Sequence, residues 1–223
     1  MVTGSTPHDG DARILIVDDH AIIAQSLSQT MAALGMVVQV AGDLSQDGVV
    51  GLAQRFQPHV VLLDLYLDRT ESIPFIAPLT SGGAKVVMLT GSTNRGILGE
   101  CVEAGAVAVI GKGHGLSVLV DAVRNALTGA TLLEDYERGE LLEAARSRRA
   151  AEADRMKPFD ALTNREQQVL AALTESKTAE EIAEQEFVSL ATVRSHIRAV
   201  LQKLGVNSQL AAVTVARRHE WPG

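Results

Sequence analysis

The sequence predicts an α/β fold with a five-stranded doubly wound parallel sheet, followed by an all-α domain of four helices. Five short apolar runs alternate with stretches of helical periodicity over the first 130 residues. Such alternation favours a parallel sheet with right-handed crossovers. The last 65 residues show helix start signals and helical spacing throughout.

The apolar runs place the elements of the sheet domain in order. Strands are predicted at 12–17, 36–41, 59–64, 85–89 and 106–110. Helices are predicted at 21–34, 43–56, 74–78, 93–104 and 116–127. Asp43 is expected to cap the second helix. The run 59–64 has apolar residues on both faces after Pro58, which indicates a fully buried parallel strand.

Polar residues stand where these strands end: Asp18, Asp19, Asp64, Thr90 and Lys112. The carboxyl ends of parallel strands share one edge of the sheet, where ligands bind in open α/β folds. Three neighbouring carboxylates need a compensating cation, and Mg²⁺ with oxygen ligands is the simplest. One carboxylate would then act as nucleophile in phosphoryl transfer, with Lys112 and Thr90 binding phosphoryl oxygens. Asp64 alone would equally suit a helix cap.

Composition and charge limit the kinds of protein that this chain could be. The net charge is −7 and the acid excess lies in the first 133 residues, so a nucleic-acid surface would have to be local and near the end. No apolar run is long enough to span a membrane, and residues 1–10 do not resemble a signal peptide. The lone Cys101 excludes an intramolecular disulfide and fits a reducing cytoplasm.

The last part of the chain carries two capping boxes, Thr163–Glu166 and Thr178–Glu181. A third helix is predicted from Ser189 to Leu204, and a fourth at about 208–218. The third helix has a basic outer face and no acidic residue, and it follows a short helix and a turn. That order is typical of a helix-turn-helix, and arginine suits both phosphates and guanine edges. The basic stripe alone would equally fit a merely solvated face.

The strand-end residues resemble the receiver domain of bacterial two-component response regulators, over residues 12–129. The resemblance implies that Asp64 is the phosphoacceptor and that Thr90 and Lys112 bind and report the phosphoryl group. The implied Mg²⁺ ligands are Asp18, Asp19, Asp64 and the backbone carbonyl of Tyr66. His20, directly after the acidic pair, matches one subfamily.

Two positions depart from that pattern. The family usually has an aromatic residue three positions before the lysine, where this chain has Val109, an atypical switch residue. It commonly has proline four residues after the phosphoacceptor, where this chain has Asp68. Tyr66 and Ser92, two residues beyond Asp64 and Thr90, are expected to control water access to the acyl phosphate.

The last part resembles the LuxR-type (NarL/FixJ) DNA-binding domain, over about residues 159–220. The shared residues include Leu162-Thr163-x-Arg165-Glu166, Thr192-Val193-Arg194 and Lys203-Leu204-Gly205-Val206. By this resemblance Arg194, Ser195 and Arg198 face the major groove, and Thr192 and Lys203 meet the DNA backbone. Leu210 and Val213 of the fourth helix would form the dimer interface. Glu180 stands where a basic residue is common, so it should weaken non-specific phosphate attraction.

The expected organisation is a disordered tail at 1–11, a receiver domain at 12–130, a solvated helical linker at 131–158 that Pro158 and Phe159 end, and a DNA-binding domain at 159–223. The expected function is a cytoplasmic response regulator, phosphorylated by a sensor histidine kinase and binding double-stranded promoter DNA as a homodimer. It would be no enzyme beyond Mg²⁺-dependent phosphotransfer to its own aspartate. Three alternatives stay open: a regulator independent of phosphorylation, a doubly wound phosphatase with Asp64 as nucleophile, and a pure interaction module.

Overall fold

The computed structural model describes residues 11–130, 132–219 and 221 of the 223-residue chain. The chain divides into two compact units, Met1–Ser147 and Arg148–Gly223. Of the expected tail at 1–11, all but Asp11 lies outside the described residues. Among the described residues, no helix has the length and apolar character to span a membrane.

The first unit contains the predicted sheet. Its strands are β1 (Arg13–Val17), β2 (Val37–Val40), β3 (Val60–Asp64), β4 (Tyr66–Leu67), β5 (Thr70–Glu71), β6 (Lys85–Thr90) and β7 (Ala108–Gly111). Its helices are α1 (Ala21–Ala33), α2 (Gln46–Phe56), α3 (Ile73–Ser81), α4 (Arg95–Glu103) and α5 (Leu116–Thr128). Five strands pair in parallel in the order β2-β1-β3-β6-β7. This confirms the predicted five-stranded α/β fold.

Strand β3 lies at the centre of the sheet and is buried along its whole length. Val61 and Leu63 pack with residues of α2, α3 and α4 on one face of the sheet. Val60 and Leu62 pack with residues of α1 and α5 on the other face. Helices on both faces explain why this strand is a continuous apolar run and not an alternating one.

A small antiparallel hairpin of β4 and β5 follows β3, and the sequence pattern did not predict it. Its two loop residues, Asp68 and Arg69, have φ values of 47° and 68°. Positive φ at both positions is the backbone of a type I′ turn, whose twist matches that of the paired strands. Proline cannot adopt such a φ, so the hairpin accommodates Asp68 but could not accommodate a proline at position 68.

The expected cap of α2 was wrong. Ser45, and not Asp43, is the N-cap residue, and its side chain accepts a hydrogen bond from Gly48 N. The side chain of Asp43 instead accepts a hydrogen bond from the backbone N–H of Ser45, two residues further on, at 2.9 Å, which is the arrangement of an Asx turn.

Cys101 is buried, as is usual for a small hydrophobic residue, and burial raises the pKa of its thiol to about 12.

Helix α6 (Asp135–Asp160) covers most of the predicted linker. Two expectations about this stretch were wrong. Leu141 and Ala145 are buried, so its first half is not merely solvated. The helix also continues through Pro158 and Phe159 to Asp160, because Phe159 is buried and stacks on Trp221, with ring centroids 5.8 Å apart.

The described part of the second unit contains α7 (Asn164–Thr174), α8 (Ala179–Gln185), α9 (Leu190–Lys203) and α10 (Gln209–Arg218). Both predicted capping boxes are present, at Thr163–Glu166 and Thr178–Glu181. Ser189 caps α9 by accepting a hydrogen bond from Thr192 N. Helices α8 and α9 are separated by a turn at Phe187, where φ is 53°. These elements form the predicted helix-turn-helix.

Candidate functional site

The polar residues at the strand ends meet at one edge of the sheet, as the parallel topology requires. Asp18 follows β1, Asp64 ends β3, Thr90 ends β6, and Lys112 follows β7. Lys112 Nζ lies 2.7 Å from Asp64 Oδ2 and 2.9 Å from Asp18 Oδ2. Three strands thus place two buried carboxylates and one ammonium in direct contact.

Burial sets the electrostatics of this cluster. It raises the pKa of Asp64, and the negative charge of Asp18 adds to that rise, while the hydrogen bond from Lys112 opposes it. Burial alone would lower the pKa of Lys112, but its hydrogen bonds to Asp64 and Asp18 leave that pKa raised. The Lys112 ammonium therefore offsets part of the effect of burial on Asp64.

Asp19 and His20 complete the cluster from the loop after β1. Asp19 Oδ2 accepts a hydrogen bond from the backbone N–H of Asp68 at 3.1 Å, which joins this loop to the β4–β5 hairpin. His20 Nδ1 lies 2.7 Å from Asp19 Oδ1 and 3.0 Å from Asp18 Oδ1. No role in the site was predicted for His20, and its position directly after two acids was the available signal.

The acidic cluster suits a divalent cation. Ligand atoms of Asp18, Asp19, His20 and Asp64 all lie within 4.8 Å of one another. Asp18 Oδ2 is buried, and the Lys112 ammonium lies 2.9 Å from it. The carboxylate oxygens of three neighbouring acids form a donor set for a hard ion such as Mg²⁺.

Thr90 starts a chain of hydrogen bonds that leads away from the acids. Its hydroxyl oxygen accepts from Ser92 N at 2.9 Å, and Ser92 Oγ accepts from Asn94 N at 3.2 Å. Asn94 Oδ1 then accepts from Gly96 N at 3.0 Å and caps α4. The threonine is buried, so its hydroxyl is held in this network and not in bulk water.

The two remaining residues singled out near this site differ in their surroundings. Tyr66 is partly exposed, and its backbone N–H lies 3.5 Å from Asp64 Oδ1. Val109 is partly buried in β7 and packs in an apolar cluster with Leu141 of α6. A valine three residues before Lys112 therefore packs against an apolar cluster to which α6 contributes Leu141.

In the second unit, α9 presents a polar face to solvent. Val193, Ile197 and Val200 are its buried residues. The expected DNA-contact residues Thr192, Arg194, Ser195 and Arg198 are all exposed. The structure thus places these four on the open side of the second helix of a helix-turn-helix, the side that enters a DNA groove in this motif.

Two basic residues of α9 have acidic partners. Arg194 Nη2 lies 3.4 Å from Glu180 Oε1, and both side chains are exposed. Lys203 Nζ lies 2.6 Å from Oε2 of the buried Glu166, the N3 residue of the α7 capping box. The Lys203 ammonium therefore has a structural partner that competes with the expected DNA-backbone contact.

The residues expected at a dimer interface differ in exposure. Leu210 of α10 is 77% exposed. Val213 is half-buried and packs against the cluster of Val169, Leu173 and Ile182 within its own unit. Of the two, only Leu210 is largely free for a contact with a second chain.

A parallel sheet with an acidic edge and a separate helix-turn-helix together define a response regulator with a DNA-binding output. Comparison with known proteins agrees. The model of the response regulator receiver domain matches residues 14–124, and that of the luxR family of bacterial regulatory proteins matches residues 160–216.

Whole-length relatives share both parts. The transcriptional regulatory protein LiaR of Bacillus subtilis is 30% identical over 93% of this chain and 97% of its own. The nitrate/nitrite response regulator protein NarP of Escherichia coli is 31% identical over 90% of this chain and 92% of its own. A LuxR-family response regulator from Aurantimonas, 24% identical, shares the fold over 60% of this chain and 96% of its own, with a TM-score of 0.52. The chain belongs to the LuxR-type two-component response regulators.

Proposed function

We propose that Asp64 accepts a phosphoryl group from a sensor histidine kinase, and that this modification controls promoter binding by the second unit. The observation that supports this most is the contact of Lys112 Nζ with Asp64 Oδ2 at 2.7 Å, beside Asp18. It combines a nucleophilic carboxylate with a cation that can bind phosphoryl oxygens.

The proposed transfer starts with an oxygen of Asp64 attacking the phosphorus of a phosphohistidine. The O–P bond of an acyl phosphate forms, the P–N bond breaks, and the electron pair of that bond leaves with the imidazole. Asp64 must be ionised to attack, and the hydrogen bond from Lys112 favours its ionised form against the effect of burial. Lys112 and the Thr90 hydroxyl then hold the transferred group.

The residues that would hold Mg²⁺ are Asp18, Asp19, Asp64 and the backbone carbonyl of Tyr66. The bound ion would neutralise the negative charge that carboxylates and phosphoryl oxygens bring together. The exposed His20 imidazole, which lies against both Asp18 and Asp19, would have to turn outward to leave these oxygens to the ion.

For the second unit we propose that α9 enters the major groove of double-stranded promoter DNA. Arg194, Ser195 and Arg198 would contact base edges, and Thr192 would contact a phosphate. Lys203 would reach a phosphate only by sharing its ammonium with Glu166. Two chains joined through Leu210 would present paired recognition helices to two half-sites.

The domain limits at 130/131 and 158/159 remain part of the proposal. The match to the receiver domain ends at residue 124, and the match to the luxR family starts at residue 160, so both are compatible with these limits. A promoter-binding protein works where the chromosome is, so we retain the bacterial cytoplasm as its compartment.

The test is acyl-phosphate formation with a small phosphodonor and Mg²⁺, read as a mass increase of the intact protein. Asp64→Asn should abolish the increase, because an amide nitrogen is not a nucleophile here. Asp68→Asn is the matched control: it also removes one nearby carboxylate but retains the backbone N–H that binds Asp19. Equal labelling of wild type and Asp64→Asn would refute the assignment of Asp64.

A regulator independent of phosphorylation is the second candidate, because Val109 lacks the ring that the family usually has at this position. It predicts the same DNA affinity for wild type and Asp64→Asn with or without a phosphodonor. A phosphatase is less well supported, because Tyr66, two residues beyond Asp64, is a poor general acid.

A further inference from the structure

The first half of α6 packs directly on α4, within the first unit. Gly99 of α4 faces this contact: a Cβ atom placed there would overlap the carbonyl oxygen of Leu141 and lie 3.0 Å from the Cβ of Ala145. Two helix backbones approach this closely only where a glycine removes the side chain between them. We refer to this packing of Gly99 against Leu141 and Ala145 as the α4–α6 contact.

Apolar and charged groups complete the α4–α6 contact. Leu141 is buried in a cluster with Val102 of α4 and Leu133, with Leu98, Val109 and Leu142 packed around it. At the exposed rim, Arg95 Nη2 lies 2.7 Å from Glu140 Oε2. An exposed ion pair contributes little, and the buried cluster is small, so the contact is weak enough to open without unfolding the sheet.

Two short paths join this contact to the acidic site. The hydrogen bonds Thr90–Ser92–Asn94 run from the threonine hydroxyl to the first turn of α4, where Arg95 and Gly99 follow. Val109 lies on β7, and Lys112 follows the end of this strand, three residues further along. Val109 packs in the Leu141 cluster, and Lys112 binds Asp64. Thr90 and Lys112, the two residues proposed to hold the phosphoryl group, therefore each lead to α6.

We propose that the α4–α6 contact is the output switch of the receiver: it is closed while Lys112 pairs with Asp64 and opens when Asp64 is phosphorylated. A phosphoryl group on Asp64 would draw the Thr90 hydroxyl and the Lys112 ammonium toward its oxygens. That movement displaces Ser92 and the start of α4 on one side and β7 with Val109 on the other. This inference rests on the proposed phosphorylation of Asp64.

Val109 acquires a role in this proposal. Its side chain packs against the small apolar cluster that contains Leu141 of α6. A helix that docks or undocks would transmit the signal without any aromatic side chain at position 109. The continuous α6 ends at Asp160, next to the buried core residues of the second unit, so opening its first half changes the tether of the DNA-binding unit.

The experiment is amide hydrogen exchange of residues 135–147 in the full-length protein, with and without acetyl phosphate and Mg²⁺. Exchange reports the fraction of time that a helix is open, so phosphorylation of the wild type should speed it by about tenfold or more. Asp64→Asn should show no such change. Gly99→Ala should speed exchange without any phosphodonor, because its Cβ has no room against Leu141.

Gly139→Ala is the matched control, since this glycine also lies within a helix but has open space around its Cβ position. Alanine favours a helix over glycine at both sites, so faster exchange in Gly99→Ala alone must come from the lost contact. Acyl-phosphate formation, followed by mass, reads the proposed function separately. If no acyl phosphate forms on the wild type, the proposed function fails. If it forms and exchange at 135–147 stays unchanged, or if Gly99→Ala exchanges like wild type, the switch is refuted.

Discussion

Single residues decide how long a phosphoryl group would stay on Asp64. Tyr66 is two residues further along, its side chain is exposed, and its backbone N–H is 3.5 Å from Asp64 Oδ1. Water must reach the acyl phosphate to hydrolyse it. The size and polarity of position 66 therefore control access to the proposed site.

Tyr66→Asn should speed dephosphorylation several-fold, because a small amide admits and can orient a water molecule. The rate is measured as loss of the mass increase after removal of the phosphodonor. Tyr66→Phe keeps the size of the ring and should retain the wild-type rate. An unchanged rate in Tyr66→Asn would contradict this role.

Glu180 places a negative charge beside the surface that we propose to face DNA. It lies 3.4 Å from Arg194, in the first turn of α8, and adds a negative charge next to a residue proposed to contact bases. An exposed pair of this kind contributes little to folding. Its effect belongs to DNA binding, where any acid near phosphates lowers affinity.

Glu180→Gln should raise affinity for non-specific DNA a few-fold and steepen its salt dependence, because Arg194 is released and a repulsive charge is lost. Glu184→Gln is the control: it removes an equal charge one turn further along the same helix. Fluorescence anisotropy over a salt series measures both. A rise of the same size in Glu184→Gln would show that net charge, and not the Arg194 contact, is responsible.

At the scale of elements, Glu166 joins the two ends of the helix-turn-helix core. It closes the capping box of α7 with Thr163 N at 2.6 Å and binds Lys203, the last residue of α9, also at 2.6 Å. The hydrogen bond from Lys203 holds the pKa of Glu166 below its ordinary value. A buried carboxylate with these partners stabilises the second unit only while it is ionised.

Glu166→Gln should lower the free energy of unfolding of the second unit at pH 7 by about 1–2 kcal/mol, the usual value of a lost cap interaction. The difference from wild type should persist above the ordinary pKa of a glutamate. It should shrink as the pH falls through the lowered pKa, because protonated Glu166 no longer pairs with Lys203. Denaturant titrations followed by the fluorescence of Trp221, the only tryptophan, which stacks on Phe159, measure this. A difference that is constant down to pH 3 would contradict the assignment.

Elements governed by local sequence were predictable, and those that depend on distant partners were not. Apolar runs located all strands of the parallel sheet, and the spacing of Thr163 and Glu166 located the start of α7. The β4–β5 hairpin was not predicted, because Asp68 and Arg69 adopt a positive φ although neither is a glycine. The burial of Leu141 was not predicted, because its partner Gly99 lies 42 positions earlier and a charged helix offers no local sign of such a contact.

The same division applies to the candidate sites. Parallel topology brings strand ends together, so the cluster of Asp18, Asp64 and Lys112 followed from the order of strands. Side-chain pairs such as Arg194–Glu180 and Lys203–Glu166 depend on how helices cross. Sequence spacing does not contain that information.

For the whole molecule, the central claim is that a covalent change at the sheet edge alters DNA binding by the other unit. The two matched families and the full-length relatives support the presence of both parts in one chain. Coupling between two sites means that a change at one site alters the affinity for a ligand at the other, usually by roughly 5- to 150-fold.

The most direct test measures affinity for a DNA site selected by the protein from a random pool, with and without acetyl phosphate and Mg²⁺. Phosphorylated wild type should bind this site roughly 5- to 150-fold more tightly than the unphosphorylated protein does. Asp64→Asn should bind at the unphosphorylated level under both conditions. Equal affinity of the phosphorylated and unphosphorylated wild type, with acyl phosphate verified by mass, would contradict the claim.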